Sequence, residues 1–270
     1  KDVLKKWKDR IVFGEYTIYW NEKPDGERVA NIDAVYEQLR DINIKKYKLG
    51  IEQFKVIDNM FSANSLKSGA ECGAKEEVSG TFRSSNQTTK LENSLSGAWG
   101  IEYYWEKPES RTLLISKIKI AVEDEISKAF SSDGKVSIVR IYDMLKGEPY
   151  GFMPCNLSAF VLGFLLKEYA NDTYRWSDGQ VSDNMGVVKL KEMIDEVIKL
   201  QITPNPRYKD KYIVTMTKEE KAFSSATAKA FNIPENQCAS IEQTRDRIRS
   251  KMKELSFPIW CLKEVLTTTP

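Results

Sequence analysis

The chain has 270 residues and no histidine. That absence excludes Ser-His-Asp and Cys-His nucleophile systems, a histidine general base, imidazole metal ligands and an imidazole pH switch. Cysteine is scarce. Cys72, Cys155, Cys238 and Cys261 form no C-x-x-C pair, and no His completes a mixed set, so no metal site is expected. So few cysteines, with no secretory apolar segment in sight, fit a reducing cytoplasm. No apolar run reaches the ~18 residues of a membrane span, so no membrane partner is expected. The most apolar stretch, 157–166, is interrupted by Ser158 and Gly163 and followed by Lys167 and Glu168. A P-loop is missing too. Its nearest approach is Gly134-Lys135-Val136, with Ala129 where the first glycine belongs. No G-x-G-x-x-G follows a strand. An excess of one charge is also lacking, with 41 Lys+Arg against 39 Asp+Glu, whereas nucleic-acid domains usually show a basic excess on one face. No catalytic residue and no cofactor are therefore expected.

What is present is material for a soluble globular core: 41% hydrophobic residues, 30% charged, 6 Trp, 12 Tyr and 11 Phe. The chain begins at Lys1 rather than Met, which reads as a piece of a longer polypeptide or a processed product. An N-terminal segment, 1–61, carries a β-rich stretch (11–20), a turn cluster (21–28), a helix capped by Asn31 and a second helix over 45–60. Residues 62–97 hold 8 Ser and 4 Gly in 36 positions. With the aromatic cluster Trp99, Tyr103, Tyr104 and Trp105 they make 62–111 a loop or linker, in which some helix can hide over 64–80 and 88–98.

Residues 112–202 give a clear order of elements. A helix over 112–130 has Leu113, Ile115, Ile118, Ile120, Val122, Ile126, Ala129 and Phe130 on its apolar side. A short strand follows at 135–138, then a helix to 146 ended by Gly147, a helix over 155–170, a hairpin around Asp178-Gly179 and a helix over 187–200. The C-terminal part, 203–270, starts with Pro204 and Pro206. A strand (211–216) and two helices headed by the capping-box patterns Thr217/Glu220 and Ser240/Gln243 follow. The fold class is α+β, mostly helical, with a winged-helix-like unit carrying a short hairpin.

In a DNA-reading winged helix the third helix presents polar side chains to base edges. Here that helix is CNLSAFVLGFLLKEYA, apolar on nearly every side, and such a helix is expected to be buried. The hairpin offers only Arg175 against Asp178 and Asp183. The first candidates for nucleic-acid contact are Arg245, Arg247, Arg249, Lys251 and Lys253 on the last helix, with Arg175. The alternative is a solvated face, since Glu242, Asp246 and Glu254 are interleaved. The runs Lys5, Lys6, Lys8, Arg10 and Lys45, Lys46, Lys48 have the same two readings. Cys155 at a helix start reads as a buried thiol, and Glu219-Glu220-Lys221 lacks the acidic partner that nuclease chemistry needs.

The strings GKVSIVRIYDMLKGEPYGFMPCNLSAFVLGFLLKEYA and YRWSDGQ within 134–185 resemble a region downstream of the ATPase module in large bacterial P-loop proteins of phage-defence systems, the BREX type and relatives. The family's PPYG-like turn corresponds to Glu148-Pro149-Tyr150-Gly151, and FPIWCL at 257–262 is similar to a segment near the region's end. The likeness covers about residues 100–266. It implies a non-catalytic assembly, coupling or DNA-engaging part of a larger ATPase, with nucleotide binding elsewhere in the parent chain. Its partners would be the parent's other domains and double-stranded DNA. Two other readings stand beside it: an independent winged-helix DNA-binding regulator, and an enzyme built only of carboxylates, Lys and Tyr.

Overall fold

The computed structural model describes residues 2–3, 16–20, 23–26, 28, 32–56, 58–78, 85–171, 173–216, 218–234, 237–238 and 241–254. The architecture is α+β and mostly helical, with a small antiparallel four-stranded sheet. A two-stranded ribbon, β1 (Tyr19–Trp20) and β2 (Lys23–Pro24), precedes helix α1 (Ile32–Lys46). Most of the expected 11–20 strand lies outside the described residues.

Helix α1 runs to Lys46, into the range expected for the second helix, and the described residues of 45–60 form no second α-helix. Short 3-10 turns at Ile51–Gln53 and Asp58–Phe61 replace it. The reason is a backbone contact. Leu49 N donates to Pro149 O at 3.0 Å, and a Cβ on Gly50 would stand 2.5 Å from Tyr150 O. A continuing helix would withdraw the backbone from that turn.

The Ser/Gly-rich segment, expected as a loop or linker in which some helix can hide over 64–80 and 88–98, supplies helices α2 (Leu66–Lys75) and α3 (Ser85–Ser94). Helix α2 is central, with Leu66, Gly69, Ala70, Cys72 and Gly73 all buried. One continuous apolar cluster runs from Ile51 through Leu66, Leu91 and Trp105 to Ile213. The composition misleads because small residues can form a helix and let a neighbour approach closely, while contributing little apolar signal.

The winged-helix-like order then appears: α4 (Leu114–Asp133), β3 (Lys135–Ser137), α5 (Ile138–Lys146), α6 (Asn156–Leu165), and the hairpin β4 (Arg175–Ser177) and β5 (Ser182–Asn184), followed by α7 (Val187–Ile202). Helix α6 is shorter than expected, since Lys167–Tyr169 is a 3-10 turn. Strand β6 (Tyr212–Val214) enters between β3 and the hairpin, giving the order β3-β6-β4-β5. Ile213 faces Val136 on one side and Trp176 on the other, and it is fully buried. The hairpin is thus tied to the helices through a strand that follows α7. At its tip the Asp178 carboxylate accepts from Gln180 N and Val181 N, at 2.9 and 2.7 Å, and Gly179 takes φ +88°. These backbone donors hold the Asp178 carboxyl below the usual carboxylate range.

Helices α8 (Lys218–Ala230) and α9 (Ile241–Glu254) follow, with a separate small cluster of Ala228 on α8 and Ile233 and Cys238 in the segment between the two helices. Ser224 Oγ and Thr244 Oγ1 lie 2.9 Å apart between them. The proposed caps at Thr217 and Ser240, the Lys5–Arg10 run, Cys261 and the FPIWCL segment lie outside the described residues.

The EPYG turn has a visible task. Gly151 adopts φ +60°, and a Cβ there would lie 2.5 Å from the Tyr47 ring. The motif therefore receives Tyr47 and the 49–50 backbone. Gly151→Ala is expected to cost about 2 kcal/mol, from left-handed backbone strain plus the ring clash. Urea unfolding would measure it, and an unchanged midpoint would mean that this contact is slack.

Candidate functional site

The helix in the recognition position, α6, is buried at every residue from Asn156 to Leu165. The sequence reading expected this, and the structure identifies what covers it. A Cβ on Gly73 of α2 would meet Phe160 O at 2.0 Å, and one on Gly163 of α6 would meet Ala70 O at 2.1 Å, so the two backbones nearly touch. On another side Trp99 stacks against Phe160 and Phe164, with ring centroids 6.2 and 6.1 Å away. The polar groups of α6 are also engaged. Asn156 Oδ1 accepts from Ser65 N at 3.0 Å, and its Nδ2 donates to Ser62 Oγ at 2.6 Å and Asn64 Oδ1 at 3.1 Å. Ser158 Oγ donates to Met153 O. No group on α6 is left to meet a base edge. Cys155, just before the helix, is buried, with Sγ 3.6 Å from Ser158 Oγ.

The six proposed contact residues do not form one patch. Arg175 lies on β4 and donates to Ser182 O at 3.4 Å. It lines a narrow crevice that also contains Val214, Glu220 and Ile241. On α9, Arg245 and Arg249 are exposed and share Asp246 at 3.6 and 3.7 Å. Lys251 pairs with Glu254 at 2.8 Å. Arg247 lines a shallow pocket with Gln237, Gln243 and Asp246, and Lys253 is exposed. Interleaved acids thus take up three of the five cations on this helix.

The structure also reveals an ionic cluster on the protein's inner side. Lys119 of α4 has no exposed side-chain surface. Its Nζ reaches Glu123 Oε1 at 2.6 Å, Glu168 Oε2 at 2.8 Å and Leu165 O at 2.5 Å, and lies 4.2 Å from the Trp105 ring centroid. Tyr169 donates its hydroxyl to Glu123 Oε2 at 2.5 Å. Alongside, Lys167 pairs with Glu76 at 2.6 Å. A buried charge survives only when paired and hydrogen-bonded, and both conditions hold here. The outer side opens on a cavity of about 310 Å³ lined by Glu76, Glu102, Tyr103, Lys167 and Glu168. Among the described residues no group of three or more Cys, Asp or Glu side chains forms a metal site. Nor is any helix among them long and apolar enough to cross a membrane.

Burial raises the hydroxyl pKa of seven tyrosines among the described residues: Tyr47, Tyr104, Tyr142, Tyr150, Tyr169, Tyr174 and Tyr208. Neighbouring carboxylates add to the rise at all of them except Tyr150. A folded pKa above the unfolded value means that the unfolded chain releases its protons first. This contribution is present in full below about pH 10 and is lost as pH rises beyond it. Absorbance titration of tyrosinate is therefore expected to show a late phase coincident with loss of near-UV ellipticity. A single phase near pH 10 with the fold intact would contradict the burial.

The sequence reading missed one basic feature. The C-terminal turn of α7, the 203–211 loop and the β4–β5 turn enclose a cleft of about 760 Å³, lined in part by Lys199, Arg207, Lys209 and Lys211. A signal was present in PNPRYKDK, where two prolines precede basic residues at every second position.

No protein-family model matches the chain, and neither the curated proteins nor the solved structures include one that matches it.

Proposed function

We propose that this chain is a non-catalytic assembly, coupling or DNA-engaging region of a larger bacterial defence-type ATPase, working in the cytoplasm. The observation that carries this reading is the burial of α6 along its whole length. A winged-helix-like unit with its third helix sealed by α2 has lost the usual means of reading sequence, and is left as a body that docks. Two further points support it. The EPYG turn, on which the likeness to the defence ATPases rests, serves here to fasten the N-terminal segment to that body. The three described cysteines are free thiols, in keeping with a reducing compartment.

The two rivals each ask more of the molecule. An independent regulator would need base contacts from a helix with no exposed side chain. An enzyme of carboxylates, Lys and Tyr would draw on Lys119, whose amine is enclosed and already bound to two carboxylates. The test is association with the ATPase module of the parent reading frame. That module, expressed separately, is expected to co-purify with this chain and to change its ATP turnover on binding. The chain alone is expected to hydrolyse no ATP. A parent frame without a Walker motif, or a module that neither binds nor responds, would sink the reading.

A further inference from the structure

We infer that the cavity lined by Glu76, Glu102, Tyr103, Lys167 and Glu168 is a docking site for an arginine side chain of a partner protein. The inference rests on the assembly part of the function proposed above and names the chemistry of the partner that docks.

Helices α2 and α6 both end at this cavity. Ala74 and Glu76 come from the end of the first, and Lys167, Glu168 and Asn171 follow the second. Two helix ends direct the negative poles of their dipoles here, which favours a cation. The side chains act in the same direction. Three carboxylates line the cavity against one ammonium, and that ammonium, Lys167, is already held by Glu76 at 2.6 Å and by Ile101 O at 3.3 Å. The layer beneath adds one charge of each sign, Lys119 and Glu123, so the negative excess is unchanged. Lys75, one residue from Glu76, is bonded to Glu71 at 2.6 Å. Glu102 is exposed and has no cation within 4 Å among the described residues.

Two buried polar groups point to a ligand independently of the charge. Glu168 Oε2 accepts from Lys119 at 2.8 Å, but Glu168 Oε1 is buried and accepts no hydrogen bond among the described residues. Tyr104 is fully buried, and its hydroxyl likewise has no hydrogen-bond partner among them. That hydroxyl lies among carboxylates: after burial itself, Glu168, Glu123 and Glu76 raise its pKa. A buried hydroxyl beside carboxylates ordinarily donates to one of them, and a buried carboxylate oxygen ordinarily finds a donor. A group that enters with several N–H donors completes both.

A guanidinium suits this better than an ammonium. Its planar fork carries five donors, enough to serve Glu102, Glu168 Oε1 and the Tyr104 oxygen, and its face stacks on an aromatic ring such as that of Tyr103. The cavity volume of about 310 Å³ lies at the small end of ligand pockets, which run to about 1,000 Å³, so it admits one long side chain and not a large molecule.

The test is amide NMR of the full chain titrated with the capped peptide Ac-Gly-Arg-Gly-NH2, with lysine and citrulline peptides for comparison. Saturable shifts are expected around Glu102, Tyr103, Lys167 and Glu168 with the arginine peptide. The lysine peptide is expected to bind more weakly, and citrulline, which keeps the shape without the charge, to show no saturation. Glu102→Lys is expected to weaken arginine binding about tenfold or more, and Glu102→Gln about threefold. Glu102 is exposed and has no ion-pair partner, so both variants should melt like the parent chain. Glu37→Lys, the same charge change at an exposed position of α1, should leave binding within about twofold. If citrulline binds as well as arginine, or Glu102→Lys binds as well as the parent chain, the inference falls. If free arginine binds more tightly than the capped peptide, the cavity takes the amino acid and not a partner's side chain, and the inference falls. The separately expressed ATPase module tells the two levels apart. A module that binds the parent chain and Glu102→Lys equally overturns this docking site and leaves assembly standing. A module that binds neither, while the arginine peptide still saturates, overturns the assembly reading and leaves the guanidinium site standing.

Discussion

Gly163→Val is expected to unfold the chain or bring it close to unfolding. The added Cβ would stand 2.1 Å from Ala70 O, 2.9 Å from Ala70 C and 3.1 Å from Ala70 Cα. All three are backbone atoms, so no rotamer change gives relief. Only separation of α2 from α6 would make room, and that would also open the second close approach of the pair, where Phe160 O lies 2.0 Å from the position of a Cβ on Gly73. Ordinary overpacking costs about 1–3 kcal/mol where side chains can shift; a clash between two backbones in the middle of the core belongs at about 4 kcal/mol. Against a total stability of about 5–15 kcal/mol, that is decisive for a marginal protein. Gly73→Ala is expected to behave the same way. Gly147→Ala is the matched control: its Cβ would meet only Met144 O, at an ordinary 3.5 Å, and its φ is −77°. It is expected to be neutral or slightly stabilising, by about 0.5 kcal/mol. Urea unfolding of the three variants decides the matter. A Gly163→Val protein that melts like Gly147→Ala would mean that α2 is not held against α6.

The same helix pair shows what can be read from the sequence and what cannot. That α6 is buried is legible from its composition alone, because seven large apolar residues leave no wet face. Its partner is not. In LKSGAECGAK the only large apolar residue is Leu66, and the segment sits in a Ser/Gly-rich stretch that composition assigns to loop. The signal lay in spacing: Gly69 and Gly73 in one helix and Ala159 and Gly163 in the other, each four residues apart, mark faces that let backbones close up. The strand at 212–214 is also legible from its β-branched and aromatic residues. Its place between β3 and β4 is not, since pairing is set by the fold and not by the strand's own pattern. The basic groups divide in the same way. The α9 run is visible as a string of Arg and Lys, but the acids on the same helix occupy it. Arg207 and Lys209 attract no notice in sequence, and only the folded loop brings them to one cleft with Lys199 and Lys211.

Lys119→Met is expected to cost about 3 kcal/mol, the low end of what removing one partner of a buried ion pair costs. The low end applies because the stranded carboxylates are not fully buried: the side chains of Glu168 and Glu123 keep 12% and 23% of their surface. Leu165 O loses a donor as well. If the loss arises from uncompensated charge and not from packing, neutralising a partner must recover part of it. Lys119→Met/Glu168→Gln is therefore expected to be more stable than Lys119→Met, with a coupling energy of about 1–2 kcal/mol in the double-mutant cycle. The exposed pair Lys146–Asp143, with side chains 40% and 52% exposed, supplies the contrast: Lys146→Ala should change stability by less than about 0.5 kcal/mol. Lys119 itself was within reach of the sequence. It stands four residues after Ile115 and three before Val122, on the buried stripe of Ile115, Ile118, Val122, Ile126 and Ala129. Ile120, expected on that stripe, falls outside it and is 39% exposed. A lysine at a core position of an amphipathic helix implies an internal carboxylate. Here two carboxylates answer it, one from its own helix and one from the 3-10 turn that follows α6, so the charge ties α4 to the end of the helix that α2 seals. A cycle with zero coupling would show that Lys119 stabilises the fold through its aliphatic stem against Trp105, and not through this link.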